Sequence, residues 1–435
     1  MSLQDKKRID ILVQRQLDTI STGNGAYLAT FLRVIAQTGL RCRVIFAPNH
    51  SFGNRPWANI HPRLDDLIDD VIWPRTLKIG AFYWSLSLIV WMRFFVRAIK
   101  AGLRALGLNL IIPSYLGRPL PDSEARTVAK VAERDLADIT IAEYSSMGPV
   151  LSYLGTNTQR GVLMHDILSD RGDATRAFDV QPDSYEVTRE QELDWCRDAD
   201  LMIYASAKEL DNFQDGLPAS KAVWLRPEPP VYGETAAAGS PRVVFLGTTH
   251  AGNTDALQHF LAEVWPLVSN KAPDLEFWVA GSISNVMSDA EKMLPGVKVL
   301  GRVERLEDIG GADSIGVAPT RLATGVSIKV AEYLMLDMAC VAYPRALQGF
   351  QGALDGLVHL ADTPADFADQ IRYLATNSDA RTKSAEQSRT GAQQALDNQE
   401  VIDFLNAAAS KRAQASSRRQ TQPQAARLNL DPVVR

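Results

Sequence analysis

Cysteine is scarce: Cys42, Cys196 and Cys340 are the three among 435 residues. An odd number spread so widely supports neither a disulfide framework nor a zinc cluster, and a reducing compartment is expected. Behind the charged opening MSLQDKKRID there is no apolar signal core and no small-residue cleavage site, so the expectation is a cytoplasmic protein. The uncharged, aromatic-rich run 79–92 falls short of the roughly twenty residues that a membrane-crossing helix needs. With 46% hydrophobic residues, 22% charged and a formal net charge of -5, the composition offers no basic footprint for nucleic acid, which is excluded as a partner. The NAD fingerprint G-x-G-x-x-G is missing too. The second strand candidate ends Ala47-Pro48-Asn49-His50, without the acidic residue that would hold a dinucleotide ribose.

What is present is an alternation of short apolar runs with amphipathic stretches, the pattern of parallel sheets built from βα units. Strands are predicted at Ile9–Val13, Val44–Ala47, Ile139–Ala142, Val162–Met164 and Leu201–Ala205, with helices such as Ala26–Gln37 and Tyr185–Arg197 between them. Glu228–Pro241, rich in Pro, Gly and Ala, is predicted as a linker. A second cycle follows, with strands at Val243–Leu246, Phe277–Ala280, Val297–Leu300, Ile315–Ala318 and Val341–Tyr343. The expected division is an N-terminal domain 1–227 with an insertion at 71–121, a linker 228–241, a C-terminal domain 242–409, and a disordered tail 410–435 without aromatic residues. Two consecutive doubly wound units imply a cleft outside the carboxyl ends of their strands.

The strongest local signal follows Ser314–Ala318: Pro319-Thr-Arg-Leu-Ala-Thr-Gly-Val-Ser-Ile-Lys-Val-Ala-Glu332. Gly325 lets backbone approach a ligand closely. Thr324 or Ser327 could cap the next helix, whose N-terminal amides attract phosphate. Lys329 and Glu332 are three apart, hence on one helix face. A cation for a diphosphate and a carboxylate for ribose hydroxyls can therefore serve one nucleotide; the plainer alternative is a surface ion pair.

With Val243–Gly247, Asn253, Phe277–Gly281, Val297–Gly301 and Gly349 in order around it, this segment resembles the nucleotide-sugar motif of family 4 retaining glycosyltransferases. The resemblance implies a GT-B fold, two Rossmann-like domains facing across a cleft. It assigns the ribose to Glu332 and the diphosphate to Lys329 with the amides of Gly325, Val326 and Ser327. The base falls to the backbone of Arg302 and Val303. Thr324 stands where the usual E-x7-E pair has its first glutamate. The segment thus matches the branch reading P-x-R-x-[GA]-[ST]-G-x-x-x-K-x-x-E, in which Arg321 also fits. Gly247 is followed by Thr248-Thr249-His250 rather than by the usual basic residue, which makes His250 a candidate substitute.

In the first half, Ser21-Thr-Gly-Asn-Gly25 opens a helix, so Gly23 and Gly25 are candidates to face the donor phosphate. Val162–Met164 ends in His165-Asp166, where a neutral imidazole could hydrogen-bond a sugar hydroxyl while Asp166 orients it or meets the acceptor. The string HDILSDR, with Glu192 ahead of Asp200, is similar to the HD-x-x-S-x-R stretch of exopolysaccharide-type glycosyltransferases. That makes Arg171 a further candidate for phosphate or an anionic acceptor. Asp198-Ala199-Asp200 mimics a metal-binding DxD but precedes its strand, so it reads as structural and no metal or other cofactor is expected.

Between Asp70 and Asp122 there is no acidic residue, while Arg75, Lys78, Arg93, Arg97, Lys100, Arg104 and Arg118 occur. Beyond 92 the basic residues recur at helical spacing opposite Phe94, Phe95, Ile99 and Leu103, a pattern suited to anionic lipid. Contact of 79–112 with a membrane carrying a lipid-linked acceptor is one expectation; a buried helix pair or dimer contact is the other. The expected activity is sugar transfer from a nucleotide diphosphate donor to a saccharide or lipid-linked acceptor in polysaccharide synthesis, with retention. The alternatives are a nucleotide-sugar 2-epimerase and a non-catalytic GT-B scaffold.

Overall fold

The computed structural model describes residues 7–421 apart from 21–22, 106–116, 171–184, 229–231, 236–238, 323–325 and 351. Before the linker the strands are β1 (Arg8–Val13), β2 (Arg41–Phe46), β3 (Trp57–Ala58), β4 (Asp70–Ile72), β5 (Thr76–Ile79), β6 (Phe82–Ser85), β7 (Ile139–Glu143), β8 (Gln159–Met164), β9 (Leu201–Tyr204) and β10 (Lys221–Trp224). Seven of them form a parallel sheet in the order β10-β9-β8-β7-β1-β2-β4. β1 is buried almost throughout because helices cover both faces of a parallel sheet. Ile9, Ile11 and Val13 enter the core under helix α1 (Gly23–Thr38), whereas Leu12 enters the core on the opposite face.

The second sheet is also parallel, with β11 (Arg242–Leu246), β12 (Glu276–Ala280), β13 (Val297–Gly301), β14 (Ser314–Ala318), β15 (Ala339–Ala342) and β16 (His359–Leu360) in the order β13-β12-β11-β14-β15-β16. Val243 and Phe245 point into one core, Val244 and Leu246 into the other. The architecture is therefore the expected pair of doubly wound units. The short edge strands β4, β10 and β16 add to those predicted.

Two regions depart from the sequence pattern. The insertion is not one apolar run leading into a helix: β5 and β6 form a small antiparallel sheet with the earlier β3, and α2 (Pro62–Asp65) lies between β3 and β5. The long helix α3 (Leu88–Ala105) begins inside 79–92. Trp73 stacks on Phe46 at 4.1 Å and lies 4.5 Å from Phe52, fastening the insertion at the carboxyl end of β2. Helix α4 (Asp122–Glu133) then returns to the sheet. The second departure is the helix Gln399–Thr421, which continues into the segment expected to be disordered. Its Val401, Leu405, Ala408 and Ala409 are buried in the first domain's core beside α1, so the chain crosses back after completing the second domain. Asn398 pins the crossing by accepting from Arg226 N at 2.8 Å and donating to Arg226 O at 3.1 Å.

Candidate active site

In an open parallel sheet, a crevice forms where neighbouring strands send their chains to opposite sides. That point lies between β1 and β7 in the first sheet, and between β11 and β14 in the second. Lys329 and Glu332 lie at the second of these places and His165 near the first.

In the second domain, Tyr333 on the helix Ile328–Met335 reaches across the switch point. Its hydroxyl accepts from Leu246 N at 2.8 Å and donates to Val317 O at 3.1 Å, tying the helix to the ends of β11 and β14. This requires Gly316, where a Cβ would lie 2.4 Å from the Tyr333 ring. One turn earlier, Lys329 Nζ donates to Asn253 Oδ1 at 2.6 Å and sits 4.5 Å from the centre of the Phe245 ring. Asn253 in turn donates to Thr248 O at 3.0 Å. Lys329 is thus held over the carboxyl end of β11 rather than in a direct ion pair with Glu332, which disfavours the surface-pair reading. Burial lowers the Lys329 pKa to about 8 against the opposing pull of Glu332. Burial likewise raises that of Glu332, with Lys329 opposing. Two charges half stripped of water, close but not neutralising each other, fit a site completed by a polar ligand.

Ser327 is the N-cap of this helix and its side chain makes no capping bond; the Ile328 and Val330 amides donate to Val326 O and Ser327 O, each at 3.0 Å. Thr324 and Gly325 lie outside the described residues. Val326 packs against Gly349, where a Cβ would come within 2.8 Å. The adjacent Gln348 accepts from Lys208 of the first domain at 3.3 Å, which places this loop on the side that meets that domain. Gly247 approaches Gly281 so closely that a Cβ on Gly281 would lie 2.1 Å from Gly247 O, and Gly281 has φ 98°. Gly301 O accepts from Gly281 N at 2.6 Å, which sets Arg302 and Val303 beside these turns, Val303 against the same core as Leu246. Two candidates carry local duties. His250 Nδ1 caps the helix Ala251–His259 by accepting from Gly252 N at 3.1 Å, and Arg321 forms a two-pronged pair with Asp255 at 2.6 and 3.2 Å.

The first domain holds a buried polar cluster at its own switch point. Glu143, the last residue of β7, is fully buried and accepts from Arg15 Nη2 at 2.7 Å and Nε at 3.0 Å. Arg15 also donates to Asn24 O at 3.2 Å, joining this cluster to the start of α1, where Gly23 and the buried Gly25 lie. His165, just past β8, places Nε2 3.1 Å from the same carboxylate. Burial raises the Glu143 pKa, but Arg15 and then His165 outweigh it and hold the group below its ordinary value. Burial also lowers the pKa of His165, against the pull of Glu143. The pair is therefore a carboxylate and a neutral imidazole bearing its proton on Nε2, with Nδ1 as acceptor. Among the described residues, Nδ1 and Glu143 Oε2 are both buried without a hydrogen-bond partner.

This corrects the expected orienter. Glu143, not Asp166, holds the His165 ring, because β7 and β8 pair with Glu143 beside Leu163 and bring the carboxylate to Nε2. Tyr144 follows at φ 70°, uncommon for a side chain with a Cβ, and this turn lays its ring on His165 at 4.3 Å. Glu192 anchors the loop beyond: it accepts from Leu168 N at 2.9 Å, Ser169 N and Oγ at 2.8 Å, and Ser145 Oγ at 2.7 Å. Arg171 lies outside the described residues. Asp198 and Asp200 face Arg160 at 3.8 and 3.5 Å at the opposite end of the sheet from His165. Arg15 and Glu143 are absent from the sequence-based candidates; the signal that could find them is a charged residue at the carboxyl end of a wholly buried strand.

Residues 240–377 match the family model described as Glycosyl transferases group 1. Sucrose-phosphate synthase from Thermosynechococcus elongatus has a similar fold at 13% identity, with a TM-score of 0.58 over 96% of this chain and 100% of that one. Anabaena HepE in complex with UDP and glucose aligns at 11% identity and a TM-score of 0.56, over 95% of this chain and 100% of the other. An E. coli trehalose-6-phosphate structure bound with UDP-2-fluoro glucose aligns at 11% identity and 0.51, over 96% and 99%. No curated protein matches the chain by sequence. The chain thus has the GT-B architecture of these structures, and over residues 240–377 it is similar to the group 1 glycosyl transferases. Its second domain, from β11 to beyond β16, carries the group 1 match.

Proposed function

We propose that the chain transfers a sugar from a uridine or guanosine diphosphate donor to a saccharide or lipid-linked saccharide in polysaccharide synthesis, with retention of configuration. The observation that carries this reading is Lys329, held over the end of β11 by Asn253 at the start of the helix Ile328–Met335, with Glu332 beside it. The ammonium at this helix start stands where a departing diphosphate gains charge, and such a preorganised donor stabilises that charge without a protein nucleophile. Glu332 takes the ribose hydroxyls. Across the crevice, His165 Nδ1 accepts a hydrogen bond from a sugar hydroxyl, with Glu143 and Arg15 fixing its tautomer. Gly23, Gly25 and Arg171 complete the phosphate side, and Asp166 faces the acceptor. HepE and the E. coli structure bind UDP or a UDP-sugar, which supports the choice of donor.

The test is product analysis after incubation with nucleotide sugars and a saccharide acceptor. Release of nucleoside diphosphate with a glycosylated product is expected, and Lys329→Ala or Glu332→Ala abolishes it. An isomeric nucleotide sugar with no free diphosphate would establish epimerisation instead. Binding without turnover that survives Glu332→Ala would mark a scaffold.

A further inference from the structure

We infer that the β5–β6 hairpin and the outer face of α3 form one surface that lies on an anionic membrane. Helix α3 is apolar on two sides. Its inner side is used: Val90 is buried, and Phe94 lies 5.5 Å from Trp57 of the small sheet. Among the described residues the outer side has no comparable cover. Leu88 is 79% exposed, Met92 59%, Phe95 56% and Ile99 63%, and each recurs three or four residues after the last, so they form one stripe. The hairpin leads into it through Leu86, 65% exposed, and itself shows Ile79 57% and Phe82 43% exposed. Isolated exposed apolar residues are ordinary; a stripe of this length joined to a hairpin tip is an interaction surface.

Charge identifies the occupant. Arg93 and Lys100 lie farther round the helix from the stripe, beyond the exposed Ile89 and Val96, which widen the apolar face toward them; Lys78 stands on the hairpin, and no acidic residue occurs between Asp70 and Asp122. A second copy of this chain would bring the same positive charge against itself, whereas anionic headgroups would neutralise it while the stripe enters the acyl boundary. Among the described residues no helix is long and apolar enough to cross a membrane, so α3 lies along the surface. The placement suits a lipid-linked acceptor. Tyr83 of β6 packs on Trp73, Trp73 on Phe46 and Phe52 at the carboxyl end of β2, and Phe52 O accepts from Gln16, the neighbour of Arg15. The membrane face is thus built on the same sheet edge as the His165 cluster.

This extends the lipid-linked form of the proposed reaction, but its test uses neither donor nor acceptor. Its failure leaves sugar transfer to a free saccharide standing, and a failure of transfer leaves the vesicle result standing. The full chain is sedimented with vesicles of phosphatidylcholine alone or mixed with phosphatidylglycerol, at low and high salt. Binding to the mixed vesicles that weakens with salt is expected. Arg93→Glu and Lys100→Glu should each weaken it by roughly fivefold or more, the effect of losing about one basic contact. Met92→Asp and Ile99→Asp, exposed positions whose fold is checked by circular dichroism, should abolish it. No sedimentation with mixed vesicles at low salt would overturn the inference. So would binding that survives both aspartates, or a dimer in solution that the same aspartates dissolve.

Discussion

Glu143→Gln keeps the size of the side chain but changes what it offers His165. The wild-type carboxylate accepts from Arg15 at 2.7 and 3.0 Å and stands 3.1 Å from His165 Nε2. All three contacts fall on Oε1, so a glutamine oxygen in that place still accepts from Arg15 and from His165 Nε2, and the tautomer is kept. What is lost is the charge that strengthens both bonds and holds the His165 ring. A weaker hold on the group proposed to meet a sugar hydroxyl in the transition state costs about 0.5–1.5 kcal/mol. At about 1.4 kcal/mol per tenfold, kcat should fall roughly 2- to 12-fold. Stability should fall less than the roughly 3–5 kcal/mol of breaking a buried ion pair outright, because Arg15 keeps an acceptor. The assay is release of nucleoside diphosphate from the purified chain, paired with imidazole 15N shifts to report the tautomer. The pH profile adds a signed check. His165 is held below its ordinary pKa, so wild-type turnover should fade only at pH below the ordinary histidine value. Removing the raising pull of Glu143 should move that acid limb lower still. A folded Glu143→Gln enzyme with unchanged kcat, or with His165 protonated at Nδ1 instead of Nε2, would refute the reasoning.

Other consequences are equally direct. Since a bound diphosphate favours charged Lys329, affinity for the nucleoside diphosphate should fall as pH rises through about 8, and calorimetric titration of Lys329→Ala should show weaker binding without that dependence. Gly316→Ala puts a Cβ 2.4 Å from the Tyr333 ring and should lower stability by about 1–3 kcal/mol in urea unfolding; an unchanged midpoint would show that Tyr333 does not stitch the switch point. Glu192→Ala leaves two backbone amides and two hydroxyls without their acceptor, and should lower stability by about 3–5 kcal/mol by the same measurement. Truncation after Asp397 removes the buried Val401 and Leu405 from the first domain, about 1.5–3 kcal/mol each, and should lower the melting temperature although the second sheet is intact.

The two parallel sheets were legible because each central strand is a short apolar run closed by polar turns, and the observed strands begin or end within a few residues of those predicted. The edge strands β4, β10 and β16 were not, since DVI, KAVW and HL are too short to show a period. The return of Gln399–Thr421 to the first domain was hidden because its polar, alanine-rich sequence resembles a solvated tail. Of the candidate site, Lys329 and Glu332 share a helix face and are visible together in sequence. Arg15 and Glu143 are 128 residues apart, and what joins them is the pairing of β1 with β7. His165 was visible, but its orienter was not: Asp166 is adjacent in sequence, whereas Glu143 is adjacent across the sheet.

The most direct measurement for the central claim is thermal unfolding of the wild-type chain, Lys329→Ala and Glu332→Ala in the presence of a panel of nucleotide sugars. A uridine or guanosine diphosphate sugar should raise the wild-type transition through binding the folded state, and neither variant should respond although both melt cooperatively. A wild-type chain indifferent to every nucleotide sugar, or variants that respond as the wild type does, would contradict a donor site at the start of the helix Ile328–Met335.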